Sequence, residues 1–190
     1  MTTTTRYAAR HSAPARHCCQ NTAVCVVLEW PDKEQKELGV VEELIGGLRA
    51  RGGLNLSNLR PHRPDPPDCV CTDDDGNTVA VEVSEVVCES AVSRNARGAN
   101  VYRVWRAGEL AEVISARLTE KDNKTFHGGP FDSIVICLFT DEPALTYEAV
   151  SRELGPHSFG PLRQVSAAYL LFSYDPGTRT YPFIRLPLAA

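Results

Sequence analysis

What this 190-residue chain lacks narrows its function before any motif is read. No apolar stretch approaches the roughly 18 residues needed to cross a bilayer, and no secretory hydrophobic segment follows the start. A soluble, cytoplasmic protein with no membrane partner is therefore expected. Paired Cys-x-x-Cys or His-x-x-x-His units are missing, which argues against a zinc finger or ribbon. The seven cysteines, Cys18, Cys19, Cys25, Cys69, Cys71, Cys88 and Cys137, are odd in number, and several fall inside apolar runs. They read as reduced, buried thiols and not as a disulfide framework. No Walker-type phosphate loop and no Gly-x-Ser-x-Gly elbow is present, since Gly46-Gly47 falls inside a helical pattern. A thiol nucleophile would need a histidine such as His127 brought to it in space. A basic surplus is absent as well: 20 Lys and Arg stand against 24 Asp and Glu, a net charge of -4. That balance does not advertise a polyanionic partner, although the distribution of charge counts for more than its total.

What is present suits one domain with a full core. Residues 1–21, rich in Thr, Ala and Arg with no Asp or Glu, show no hydrophobic period and read as a disordered tail, leaving 22–190 as the domain. Residues 22–30 form an apolar run, either a strand or the lead into a helix. Pro31-Asp32 opens a helix to about Arg51, with Leu38, Val41, Leu44, Ile45 and Leu48 on one face. At about 100° per residue, Glu34 projects to the middle of that stripe and Glu37 and Glu42 to its edges. Gly52-Gly53 ends the helix, and residues 54–67 read as a loop carrying Arg60, His62 and Arg63.

Further along, a helix is expected from Val101 or Gly108 to Lys124, with Leu110, Val113, Ile114 and Leu118 on its apolar face. Residues 133–139 are almost continuously apolar, the pattern of a central strand covered on both sides, and the helix before them makes a βαβ crossover. Thr140 or Asp141 is available to cap a helix running to Leu154. Residues 156–161 read as loop. Residues 167–174 then return through Asp175-Pro176-Gly177-Thr178 to 181–186 as a hairpin.

The most informative stretch lies between Asp68 and Glu82. Cys69-Val70-Cys71-Thr72 and Thr78-Val79-Ala80-Val81 flank Asp73-Asp74-Asp75-Gly76-Asn77, whose Gly and Asn supply positive φ for a β-hairpin turn. Asp68 starts the first strand and Glu82 lies near the end of the second, so antiparallel pairing gathers both carboxylates at the open end. Two carboxylates at a strand end form a hard-oxygen site suited to Mg²⁺ and not to zinc. A surface hairpin with solvated acids is the plain alternative.

This arrangement resembles the PD-(D/E)XK nuclease superfamily over roughly residues 34–138. The resemblance implies a restriction-endonuclease-like α/β fold, a central mixed sheet flanked by helices, and a nuclease that hydrolyses nucleic-acid phosphodiester bonds. In that superfamily the Asp and Glu, here Asp68 and Glu82, hold a Mg²⁺ or Mn²⁺ ion together with a backbone carbonyl, here that of Val83. The Lys usually found two residues after the Glu is replaced by Ser84. The Lys is known to migrate to the following helix, and Lys121-Asp122-Asn123-Lys124-Thr125-Phe126 has that form. Lys121 lies about 20° from Leu110 on the wheel and Lys124 about 40° to the other side, so both prolong the buried stripe. Lysines in a last turn also complement the helix dipole and snorkel over apolar neighbours.

By the same resemblance, Glu34 or Glu37 of the first helix is a candidate direct or supporting ligand, although an acid in a first turn also serves the helix dipole. Arg60, Arg63, Arg94 and Arg97 would meet the phosphates of DNA or RNA. Ser84 also supports a second reading, a catalytically inactive relative that binds nucleic acid or a protein partner. A homodimer is compatible with either.

Overall fold

The computed structural model describes residues 32–87 and 105–189. The expected tail at 1–21, the apolar run at 22–30, and Arg94 and Arg97 lie outside the described residues. Among the described residues no helix is long and apolar enough to cross a membrane.

Asp32 caps the first helix, its carboxylate accepting the Gln35 N–H at 2.9 Å, which satisfies one of the donors that a helix start leaves open. This helix, α1 (Lys33–Ala50), buries Val40, Val41, Leu44, Ile45 and Leu48. Those spacings of one, three and four residues follow the 3.6-residue period and give one apolar face. Gly47 sits inside the helix because a Cβ there would stand 2.8 Å from the Phe183 ring.

Six strands follow in a single sheet whose spatial order equals the chain order: β1 (Ser57–Pro61), β2 (Cys69–Thr72), β3 (Thr78–Glu85), β4 (Ser133–Thr140), β5 (Ala167–Phe172) and β6 (Phe183–Arg185). β2 pairs antiparallel with both β1 and β3; β3, β4 and β5 are parallel; and β6 returns antiparallel to β5. Helix α2 (Glu109–Asp122) makes the crossover from β3 to β4, and α3 (Tyr147–Leu154) lies between β4 and β5. The result is an α/β fold with a mixed sheet between helices.

Alternation along the strands divides the core in two. Val79, Val81 and Val83 of β3 pack with α1, whereas Ala80 packs with Leu110, Ile114 and Leu118 of α2 and Val150 and Leu154 of α3. β4 shares both layers, Val135 and Cys137 toward α1 and Ile136 and Leu138 toward α2. This two-sided burial accounts for its near-continuous apolar sequence. Cys69, Cys71 and Cys137 are free and buried in the α1 layer, as expected of structural thiols. Burial raises Cys71 to about 11 and Cys137 to about 12, so neither carries thiolate near neutral pH.

Two expectations are corrected. Residues 54–67 are not loop throughout, because β1 pairs with the outer edge of β2, Arg60 opposite Val70 and Pro61 opposite Cys69. Ser57-Asn58-Leu59-Arg60-Pro61 has neither β-branched residues nor an apolar alternation. Its strand conformation is imposed by the hydrogen-bonding edge it covers, with an irregularity between Ser57 and Arg60 where Asn58 takes φ 54°. The cap of α3 is Thr146, whose Oγ1 accepts the Ala149 N–H at 3.3 Å, and neither Thr140 nor Asp141. β4 runs on through Thr140, paired with Phe172, which delays the helix.

Candidate metal centre

The hairpin register sets the geometry of the site. Cys69 pairs with Val81, so one further step along the ladder puts Asp68 opposite Glu82. Side chains alternate along a strand, so Glu82, between Val81 and Val83 of the α1 layer, turns to the α2 side of the sheet, and Asp68 stands beside it at the strand end. Asp68 Oδ2 accepts the Val83 N–H at 2.8 Å. Glu82 is 1 % exposed and Asp68 9 %.

α2 ends at Asp122, short of the expected Lys124; Lys121 Nζ from its last turn donates to Glu82 Oε1 at 2.6 Å, and Lys124 Nζ, two residues past the helix, donates to the same oxygen at 2.8 Å. Lys121 also lies 3.5 Å from the Val83 carbonyl. The other oxygen, Glu82 Oε2, is buried with no hydrogen-bond partner among the described residues. A buried carboxylate oxygen left unsatisfied is costly unless something else meets it.

The last turn of α2 is held in place by its own buried acid. The Asp122 carboxylate accepts the backbone N–H groups of Arg163, Gln164 and Val165 at 2.8, 3.0 and 3.3 Å. Gln164 Nε2 donates in turn to the carbonyls of Asp122 and Lys124. The segment leading into β5 thus pins the end of α2, which carries Lys121, and the residues just past it, which carry Lys124.

An open cleft of about 290 Å³ runs over the site and is lined by five acids, Glu37, Asp65, Asp68, Glu82 and Glu85, and four lysines, Lys33, Lys36, Lys121 and Lys124. Asp65, Asp68 and Glu82 each offer an oxygen such that all three lie within 4.8 Å of one another. Burial, then the Glu82 charge, raise the Asp68 carboxyl to about 7 against the opposing Val83 N–H bond. Partial burial works against the charge of Lys124, but the Glu82 carboxylate outweighs it and holds the ammonium above its ordinary range. Every donor of the acidic group is a hard carboxylate oxygen, and Glu82 keeps one buried oxygen without a partner, so the residue types fit a divalent cation of the Mg²⁺ or Mn²⁺ type.

No protein-family model, curated protein or solved structure matches this chain.

Asp68, Glu82, Val83, Ser84, Lys121 and Lys124 are brought together at one cleft. Of the two α1 candidates, Glu37 lines the cleft, salt-bridged to Lys33 at 3.1 Å, whereas Glu34 pairs with Arg63 at 2.7 Å. Arg60 is exposed on β1, and neither it nor Arg63 lines the cleft. Asp65, Lys33 and Lys36 were not among the sequence candidates. Asp65 lies in a proline-bracketed loop with no periodicity to read. Its spacing of three from Asp68 was the one available signal.

Proposed function

We propose that this protein is a divalent-metal-dependent nuclease, hydrolysing nucleic-acid phosphodiester bonds on a restriction-endonuclease-like scaffold. The observation that carries the proposal is Glu82: Lys121 of α2 and Lys124, just past the helix end, meet one of its oxygens while the other is buried without a partner. Asp68, Glu82 and the Val83 carbonyl would hold Mg²⁺ or Mn²⁺. Such an ion, when bound, supplies Lewis acidity to water and to the phosphate.

The protein's own groups do the remaining work. Lys121, the more buried lysine, fixes the Glu82 carboxylate through its 2.6 Å bond, so that the free oxygen keeps one direction. Lys124, with its side chain one-third exposed, reaches the cleft and is placed to donate a proton-bearing Nζ to a non-bridging phosphate oxygen as negative charge builds there. It takes over the task of the Lys that Ser84 replaces. Charge also answers the objection raised by the acidic composition. With all five acids ionised against four lysines the cleft stands at -1, and the dication that would favour that ionised state brings it to +1, the sign that attracts phosphate.

Incubating the full chain with single- and double-stranded DNA and RNA in Mg²⁺ or Mn²⁺ tests this reading. Cation-dependent cleavage is expected, falling about 10²-fold or more in Asp68→Asn and Glu82→Gln. Cleavage unchanged in either folded variant refutes the assignment.

A second reading, an inactive relative that binds nucleic acid or a protein partner, is favoured by Ser84 at the usual Lys position. No cleavage under either cation, combined with no Mn²⁺ binding by the folded protein, supports that reading.

A further inference from the structure

The proline-bracketed loop places an acid at the mouth of the cleft that the paired strands do not supply. Asp65 is the third member of the acidic group whose oxygens lie within 4.8 Å of one another. An octahedral Mg²⁺ at about 2.1 Å from each ligand separates opposed oxygens by about 4.2 Å and adjacent ones by about 3.0 Å. The three carboxylates are therefore close enough to converge on one ion with small side-chain movements.

The loop is also pinned on both sides. His127 donates its backbone N–H to the Pro66 carbonyl at 2.8 Å, and His62 donates its own to the Asp68 carbonyl at 3.0 Å. Asp65 thus hangs from a fixed backbone with its side chain 39 % exposed, at the solvent side of a centre whose other two acids are buried. Its counter-ion is weakly held: Lys33 Nζ stands 3.7 Å away on a side chain that is 74 % exposed. Such a pair is readily given up.

The unpartnered Glu82 Oε2 is the independent sign that this group takes a ligand. Resting on the dication reading of Asp68 and Glu82, we propose that Asp65 is a third carboxylate ligand of that centre. It leaves Lys33 to close the coordination of a single, oxygen-liganded dication of the Mg²⁺ or Mn²⁺ class. Three carboxylates and the Val83 carbonyl would leave two octahedral positions for water or a phosphate oxygen.

Mn²⁺ titration of the metal-free full chain, read by electron paramagnetic resonance and by calorimetry, tests this without relying on turnover. Wild type is expected to bind one Mn²⁺ per chain, and Asp65→Asn to weaken it about 10-fold or more while the metal-free melting temperature stays within a few degrees. Lys33→Ala, which removes the competing counter-ion, is expected to bind Mn²⁺ at least as tightly as wild type. If Asp65→Asn binds within twofold of wild type while Glu82→Gln loses the ion, the centre stands and Asp65 is no ligand. No binding by wild type removes the centre and the Asp65 assignment together. Two equivalents of comparable affinity overturn the single-ion geometry.

Discussion

Asp122 and Glu82 are both almost wholly buried, 4 % and 1 % exposed, and both lie against the last turn of α2, yet their surroundings treat them in opposite ways. The Asp122 carboxylate is met by three backbone N–H groups, and these bonds, outweighing desolvation, hold it below the usual carboxylate range. At the other site, both lysines crowd one oxygen of Glu82 and leave its second without a partner, while the neighbouring Asp68 is raised to about 7. A saturated buried acid is an anchor, complete without further contacts. The charged form of Asp68 is instead disfavoured by burial and by the Glu82 charge beside it, a condition that folding alone does not favour and that a bound cation relieves. The anchor lies one residue beyond Lys121, so the satisfied acid holds the frame in which the unsatisfied one is poised.

Removing the anchor is expected to have the largest effect. Asp122→Ala leaves three backbone N–H groups without their acceptor and frees the segment before β5, at a cost of about 3–5 kcal/mol. Asp122→Asn, which keeps one carbonyl acceptor, should lose roughly half as much. Urea unfolding of the metal-free protein measures both, and a loss under about 1 kcal/mol for the alanine variant would erase the contrast between the two acids.

The next effect has the opposite sign. Because the native Asp68 carboxyl titrates near 7, above its unfolded value, folding favours its protonated form. Its contribution to stability is full below about pH 4 and is lost as pH rises through about 7. Metal-free wild type should therefore lose on the order of 2–4 kcal/mol between those limits from this group. Asp122, held below its unfolded value, contributes in the reverse direction: its stabilisation is present at neutral pH and lost on acidification. Asp68→Asn keeps an acceptor for the Val83 N–H and removes the charge, so at pH 8 it should be more stable than wild type while losing the cation. Thermal melts across pH 4–8 in chelator check this, and an Asp68→Asn variant less stable than wild type at pH 8 would show that Asp68 is structural.

Parts of this contrast were legible in the sequence. Asp-Gly-Asn between two apolar, β-branched runs pointed to the hairpin, and antiparallel pairing gathered Asp68 and Glu82 at its open end; the register, Cys69 opposite Val81, is what sets them against each other. The wheel of α2 put Lys121 and Lys124 over the same face of the sheet, where both reach Glu82. What no local pattern carries is contact between distant segments. The Asp122 anchor spans about forty residues to Arg163, Gln164 and Val165, and Asp65 takes its place from a loop held by His127. The wheel of α1 gives direction but not reach. It set Glu34 centrally, yet the first turn meets Arg63 outside the cleft, and it is Glu37 that stands over the site.

Glu34 therefore marks the low end of the scale and is expected to show the smallest change. Its pair with Arg63 is short, 2.7 Å, but the two side chains are 44 % and 71 % exposed. Solvent and salt screen such a pair, and ordering two long side chains offsets what attraction remains. Glu34→Gln should shift stability by less than about 0.5 kcal/mol and leave Mn²⁺ affinity within twofold, in contrast to the buried acids a few residues away in space. A tenfold loss of Mn²⁺ binding in this variant would place Glu34 at the centre, and the division between an inner group of Asp65, Asp68 and Glu82 and an outer shell of solvated pairs would have to be redrawn.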